Sequence, residues 1–327
     1  LNSVIKDPEK VDIRYAFCFP DIYEIGMSHL GMKILYGLVN DREDSWCERV
    51  FAPDVDMEEQ MRKNNVPLFA LESGDYIKDF DIIGFTLMYE LCYTNVLNML
   101  DLAGIPLYSK DRTELAPIIC VGGPCACNPE PIADFVDIVF LGDGEDSTNA
   151  VLDLLKKCKK SGATKQEFLL KAKDITGVYV PSFYKDSYNA DGTLKELVPI
   201  NGAPEKVKKS IVSDMNKCYY PKEFVVPFIS IVHDRAVEEI FRGCIRGCRF
   251  CQAGFIYRPI REKSVETINA QSKALIDSTG YDELSLCSLS TSDHSQVNEM
   301  LTSLIDWTVK DKINLSLPSL RVDNFSD

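Results

Sequence analysis

The sequence has no apolar run approaching the roughly 18 residues that a membrane-crossing helix needs; the best, Ile82 to Tyr89, is far shorter. No membrane span is expected within this segment. Positive charge is also in deficit. Lys and Arg number 36 against 50 Asp and Glu, a net charge of −14, which argues against strong non-specific attraction to nucleic acid. There is no internal repeat and no low-complexity tract. The twelve cysteines follow no regular pairing pattern, and the chain lacks the short, disulfide-dense character of secreted modules, so a reducing, cytoplasmic setting is expected. The chain starts at Leu1 rather than Met and ends inside a strand-loop pattern, and so reads as a fragment at both ends.

With 327 residues, 45% of them hydrophobic, the chain can bury large cores, and its length suggests two domains. From Ile13 onward, strand-like and helix-like stretches alternate. Strands are expected at 13–19, 47–51, 67–71, 81–87, 117–121 and 137–141. The intervening helices are expected from Ser28, near 57–63, at 90–102 and at 146–157. Alternation of this kind implies parallel βαβ units covered on both faces, so residues from about 10 to 160 read as a doubly wound parallel sheet. Ligands of such sheets bind beyond the carboxyl ends of the strands. The loops there carry Pro20-Asp21-Ile22-Tyr23-Glu24-Ile25-Gly26, Gly122-Gly123-Pro124 and Gly142-Asp143-Gly144-Glu145. A helix at 163–175 and a small β element at 178–199, turning at Asp191-Gly192, follow; 201–227 reads as a linker. The expected domains are 1–185, then 186–227 as β element and linker, then 228–327.

The most informative stretch runs from Glu239 to Gly254, where Cys244, Cys248 and Cys251 form a C-x3-C-x2-C array. Three thiolates this close can converge on one metal centre. Gly243 and Gly247 free the backbone around it, and Arg242, Arg246 and Arg249 surround it with positive charge. From Glu205 to Lys263, twelve Lys and Arg face seven Asp and Glu, a basic collar in an acidic chain; a solvated face would look the same. Three ligands are one short of a closed tetrahedral set, which leaves a metal position open. A structural zinc knuckle would need His233 or Cys287 as a fourth ligand, and neither shows a paired spacing. The strand before the loop is expected at 236–241, followed by a helix at 264–278, a strand at 283–291, a helix at 296–310 and a strand at 313–320.

The cysteine spacing, with Phe250 just before the third cysteine, resembles the radical S-adenosylmethionine (radical SAM) superfamily. That resemblance implies a [4Fe-4S] cluster on Cys244, Cys248 and Cys251, with the open iron chelating SAM and Phe250 near the adenine. It also implies a partial (β/α)6 barrel, of which about three β/α units are present. By position, Ser288, Ser290 and Asp293 after the second barrel strand, and Ser319 and Arg321 after the third, would contact SAM. The N-terminal loops resemble the cobalamin-binding domain that often precedes such a barrel, with Asp21, Tyr23, Gly26, Thr86, Gly122, Gly123, Gly142 and Glu145 in its ligand-contacting places. Tyr23 stands where that family has a cobalt-ligating histidine, and His29 is out of register.

The combined pattern resembles B12-binding-type radical SAM proteins of unassigned reaction. The implied activity is reductive cleavage of SAM to a 5′-deoxyadenosyl radical, with methyl or other group transfer if cobalamin binds. The implied partners are a substrate that the pattern does not name and an external one-electron donor of flavodoxin or ferredoxin type. RNA is an open substrate class, with no basic-aromatic patch to point to it. The rival classes are a non-catalytic iron-sulfur or zinc protein acting as redox sensor or scaffold, and a corrinoid carrier with an inactive barrel.

Overall fold

The computed structural model describes residues 1–324. They fall into two compact units: one comprises Val4–Gly26 and Val39–Ile211, the other Leu1–Ser3, Met27–Leu38 and the chain from Val212 onward. The divisions between them fall at 3/4, 26/27, 38/39 and 211/212.

In the unit built from Val4–Gly26 and Val39–Ile211, β1 (Ile13–Phe19) leads through the short helix α1 (Tyr23–Gly26). The next helix, α2 (Leu30–Asn40), lies mostly in the other unit. Then come β2 (Ser45–Phe51), α3 (Val55–Asn64), β3 (Ile82–Thr86), α4 (Tyr93–Leu102), β4 (Ile118–Gly122) and β5 (Ile138–Phe140). The long helix α5 (Gly144–Ser161) and α6 (Lys165–Ala172) precede β6 (Val178–Tyr179). The six strands form one sheet in the order β2-β1-β3-β4-β5-β6, parallel except for antiparallel β6. β1 to β5 are almost wholly buried, as sequence runs such as Ile-Ile-Gly-Phe-Thr require of strands covered on both faces. Helix ends are set locally. Thr164 and Glu167 form a capping box at the start of α6, and Gly162 closes α5 in the left-handed region.

Two expectations change here. Residues 67–71 form no strand; only the bridge Phe69–Tyr76 pairs. Part of the expected linker is structural, because Ser210 bridges in parallel to Gly142, and the Gly177 amide donates to the Lys208 carbonyl. The short sequence there lacks the apolar alternation that would have announced a strand. Beyond β6, β7 (Tyr184–Tyr188) and β8 (Leu194–Pro199) make a separate antiparallel hairpin.

The other unit holds β9 (Ala236–Glu239), β10 (Phe241–Arg242), α7 (Ala253–Ile256), β11 (Arg261–Glu262), α8 (Val265–Thr279), β12 (Glu283–Cys287), α9 (Val297–Asp311) and β13 (Asn314–Ser316). β9, β12 and β13 form a parallel three-stranded sheet in the order β13-β12-β9, while β10 and β11 pair antiparallel. Ala236 and Ile240 from the β9 segment, Leu284 and Leu286 from β12, and Ile268, Leu275, Met300 and Leu304 from α8 and α9 make a fully buried core, joined by Ile34 of α2. All three strands expected here, at 236–241, 283–291 and 313–320, end early, the last at Ser316. β9 stops at Glu239, and β12 stops at Cys287, after which the chain turns.

Candidate functional site

In the sheet of the first-described unit, the order 2-1-3-4-5 places the topological switch between β1 and β3, where a doubly wound sheet opens a crevice beyond its carboxyl ends. Asp21 follows β1 there. The Tyr89 hydroxyl, in the loop after β3, donates a short hydrogen bond to the Asp21 carboxylate. That bond pushes the Tyr89 phenol up to about 12. Tyr89 was not singled out from the sequence, where it is merely the last residue of the apolar run 82–89.

The other candidates in this unit are held by the protein itself. Tyr23 packs edge-on against Phe51 of β2, with ring centroids 5.1 Å apart, on the β2 side of β1 rather than at the switch point. It lines an apolar cleft of ≈ 230 Å³ with Phe51, Met57, Met61, Leu68 and Leu71. Gly26 is buried, and a Cβ there would lie 2.3 Å from the Phe51 ring. Thr86 is buried at the end of β3, its hydroxyl 3.8 Å from the Met88 sulfur. Gly123 has φ +96, with the Leu87 carbonyl oxygen 2.8 Å from a hypothetical Cβ; Gly142 has φ +93, with the Ser210 carbonyl oxygen at 2.1 Å. Both glycines answer to close backbone approach. Gly122 is the exception, with 3.6 Å to the nearest atom, and Glu145 is buried in the first turn of α5.

In the other unit the cysteine loop leaves the carboxyl end of the β9 segment. Gly243 takes φ +90 where a Cβ would meet the Pro259 carbonyl oxygen at 2.7 Å, so the loop's entry admits only glycine without rearrangement. Cys244, Cys248 and Cys251 are free thiols of intermediate exposure. The Arg246 amide donates to the Cys244 sulfur at 3.4 Å, and the Cys251 amide to the Cys248 carbonyl at 3.1 Å. Among the described residues, no three His, Cys, Asp or Glu side chains are gathered in metal-holding geometry. The donor set nonetheless fits an iron-sulfur cluster: three partly exposed thiols on an eight-residue loop, one already receiving a backbone N–H. Phe250 is 93% exposed on this loop.

The SAM-contact candidates cluster around the same strand ends. The Ser288 hydroxyl hydrogen-bonds to that of Thr291 at 3.0 Å; the Thr291 hydroxyl donates to the Pro318 carbonyl at 2.6 Å, and the Thr291 amide to the Ser319 carbonyl at 3.2 Å. The turn after β12 is thereby tied to the segment after β13, where Ser319 sits at φ +61. Arg321 forms a two-pronged pair with Asp323, at 3.0 and 2.8 Å, which pushes the guanidinium pKa up and the carboxyl down. Asp293 lies in the same turn. Its carboxylate is occupied by the Arg246 guanidinium and by the Ser290 hydroxyl at 2.8 Å.

Two ion pairs near the loop were not read from the sequence. Arg242 grips Glu239 with two hydrogen bonds of 2.9 Å just before the loop. Behind the sheet, Lys263 pairs with fully buried Glu238 at 2.7 Å, and burial pushes the Glu238 carboxyl up to about 7. Cys287, opposite Glu239 in the β9–β12 register, has its thiol pushed up to about 11 by burial and by Glu239. His233 Nδ1 accepts a hydrogen bond from the Arg235 guanidinium at 3.1 Å.

A doubly wound sheet with this strand order, followed in the chain by parallel β/α units whose first strand delivers a three-cysteine loop, is the arrangement that the resemblance to radical SAM proteins implies. Comparison with known proteins agrees. Residues 31–181 match the family described as radical SAM proteins, N-terminal. The chain is 27% identical over 322 residues to the uncharacterized protein MJ0966 of Methanocaldococcus jannaschii, covering 95% of this chain and 56% of that one. Its fold is similar to that of the radical S-adenosylmethionine methyltransferase TsrM from Kitasatospora setae, solved with cobalamin and a [4Fe-4S] cluster bound (TM-score 0.56, 10% identity). The same enzyme with tryptophan substrate and a SAM analog bound gives TM-score 0.55 at 11% identity. Both structural matches cover 95% of this chain and 56% of TsrM, so the chain spans little more than half the length of the proteins it resembles. At such identity the likeness is one of fold. Among the described residues no helix is long and apolar enough to cross a membrane.

Proposed function

We propose that this chain is the cofactor-binding part of a radical SAM enzyme that transfers a methyl or other group with the help of cobalamin. In this reading Cys244, Cys248 and Cys251 hold a [4Fe-4S] cluster, and the hydroxyl-rich turns at Ser288–Asp293 and Ser319–Arg321 receive SAM. A cobalamin would lie beyond the carboxyl ends of β1 and β3, near Asp21 and Tyr89. Bound there, the cluster supplies the single electron for reductive SAM cleavage and the corrinoid a group-transfer site. The chain's own residues orient and shield. Gly243 turns the loop, the Arg246 amide steadies the Cys244 sulfur, and the Arg242–Glu239 pair fixes the backbone entering the loop. An external one-electron donor and a substrate of unassigned class complete the reaction, in a cytoplasmic setting.

The observation that carries the reading is the cysteine loop at the carboxyl end of β9, beside the turns after β12 and β13. Its test is anaerobic reconstitution with iron and sulfide, followed by EPR of the reduced protein with and without SAM. A cubane signal perturbed by SAM, with 5′-deoxyadenosine released, is expected. Cys248→Ala should lose the cluster while the β1–β6 sheet keeps its thermal transition. A cluster indifferent to SAM would instead support a redox sensor or an inactive scaffold.

A further inference from the structure

Asp293 stands where the family resemblance would put a contact to the SAM amino group, yet its carboxylate is engaged. Arg246, between Cys244 and Cys248, presents its guanidinium edge to it: Nε donates to Oδ2 at 2.8 Å and Nη2 to Oδ1. Ser290 Oγ adds a second bond to Oδ2 at 2.8 Å, and the Asp293 amide donates to the Ser290 carbonyl at 2.9 Å. The Asp293 side chain is 4% exposed and that of Arg246 32%. A two-pronged guanidinium–carboxylate pair is among the stronger and more directional polar contacts a protein makes. An arriving ammonium would have to displace, or sit beside, a cation already held in both directions.

We propose that Arg246 and Asp293 form a positioning clamp that sets the cysteine loop against the turn after β12, and that Asp293 is thereby withheld from the amino group of SAM. The inference rests on the radical SAM reading above. It assigns the arginine inside the cysteine motif a role distinct from charge balance. One end of its residue, the backbone amide, steadies the Cys244 sulfur, while the other end fixes the turn carrying Ser288 and Ser290. The loop and the SAM-facing turn are then set as one body before either cofactor arrives, and the amino-group contact falls to the hydroxyls and carbonyls of that turn.

The test uses Arg246→Gln, Asp293→Asn, the double variant and Arg246→Lys. In the protein without cluster, hydrogen exchange across residues 244–251 should quicken roughly tenfold in each single variant, as expected for loss of a charge-assisted contact. The double variant should be no faster, and Arg246→Lys intermediate. Unchanged exchange would overturn the clamp, and this arm reads out even if the protein takes up no cluster, an outcome that would sink the radical SAM reading separately. After reconstitution, the SAM concentration that half-perturbs the EPR signal should rise alike in both singles and no further in the double. A loss of SAM affinity in Asp293→Asn with none in Arg246→Gln would overturn the proposal in favour of Asp293 as a direct amino-group ligand, and multiplying losses in the double would show that the two residues act apart.

Discussion

Gly142 offers the sharpest separation of a packing role from a ligand-approach role. Replacing it by alanine would place a Cβ 2.1 Å from the Ser210 carbonyl oxygen and 3.0 Å from the Ser210 nitrogen, both backbone atoms that cannot rotate away. The position also requires φ +93, which costs an alanine about 1–2 kcal/mol. Relieving the clash means moving the 208–211 segment off the end of β5. That breaks the bonds from the Ser210 amide to the Leu141 carbonyl at 2.8 Å and from the Asp143 amide to the Ser210 carbonyl at 3.0 Å. At about 1 kcal/mol each, the total loss is about 3–4 kcal/mol, which for a unit of this size lowers the melting temperature by roughly 6–16 °C. Gly122→Ala is the control, since a Cβ there meets only the Phe140 Cβ at 3.6 Å; it should melt within a degree or two of the parent. Differential scanning calorimetry of both variants without corrinoid decides the matter. If Gly142→Ala melts like the parent, the packing argument fails and the glycine has to be explained by a ligand. If it melts early but binds cobalamin normally once folded, its resemblance to a corrinoid-contacting glycine was positional only.

Three further outcomes follow from the same geometry. His29 is held neutral, its pKa lowered to about 4 by burial and by Lys33, while Nδ1 accepts from the Met32 amide at 3.1 Å. The unfolded chain therefore takes up the proton first. Stability should be intact above about pH 6.5 and fall by roughly 3 kcal/mol at most on the way to pH 4, a slope that His29→Gln flattens in urea titrations across that range. Glu238→Leu strands the buried Lys263 ammonium and should cost about 3–5 kcal/mol, whereas the double variant Glu238→Leu/Lys263→Met should recover most of it; equal losses in urea unfolding would show that the ion pair is not what holds that site. Exposed Cys127 should be alkylated at least about tenfold faster than buried Cys18, Cys47 and Cys120, read by peptide mass spectrometry at pH 7.5, because burial both shields those thiols and keeps them protonated.

Much of the fold was legible because its signals are local. The bounds of β1 were visible in the run Ile13–Phe19, and α8, expected over 264–278, spans Val265–Thr279. Failures came where a segment's conformation is decided by distant partners. Residues 208–211 carry no strand pattern, yet hydrogen bonds from the Ser210 amide to the Leu141 carbonyl and from the Gly177 amide to the Lys208 carbonyl order them. The early end of β12 reflects the Thr291 hydroxyl bonding to the Pro318 carbonyl, a contact across 27 residues that no window reveals. At the site, the cysteine spacing is a short-range feature and could be read directly. Tyr89 meeting Asp21, or Arg246 meeting Asp293, depends on which strand ends become neighbours, and that is a property of the topology.

The assignment of Met27–Leu38 to the same compact unit as the chain beyond Val212 bears on how the molecule is made. Helix α2 leaves the ribosome roughly 180–190 residues ahead of Tyr220 and Phe224, with which its Ile34 shares a core. At about 5–20 residues per second that is on the order of 10–40 s during which an apolar helix face has no native partner. The β1–β6 sheet can be completed within that interval. The second unit cannot, so a nascent chain holds one folded body and one waiting helix, and a gene split at 38/39 or at 211/212 would separate that helix from its core.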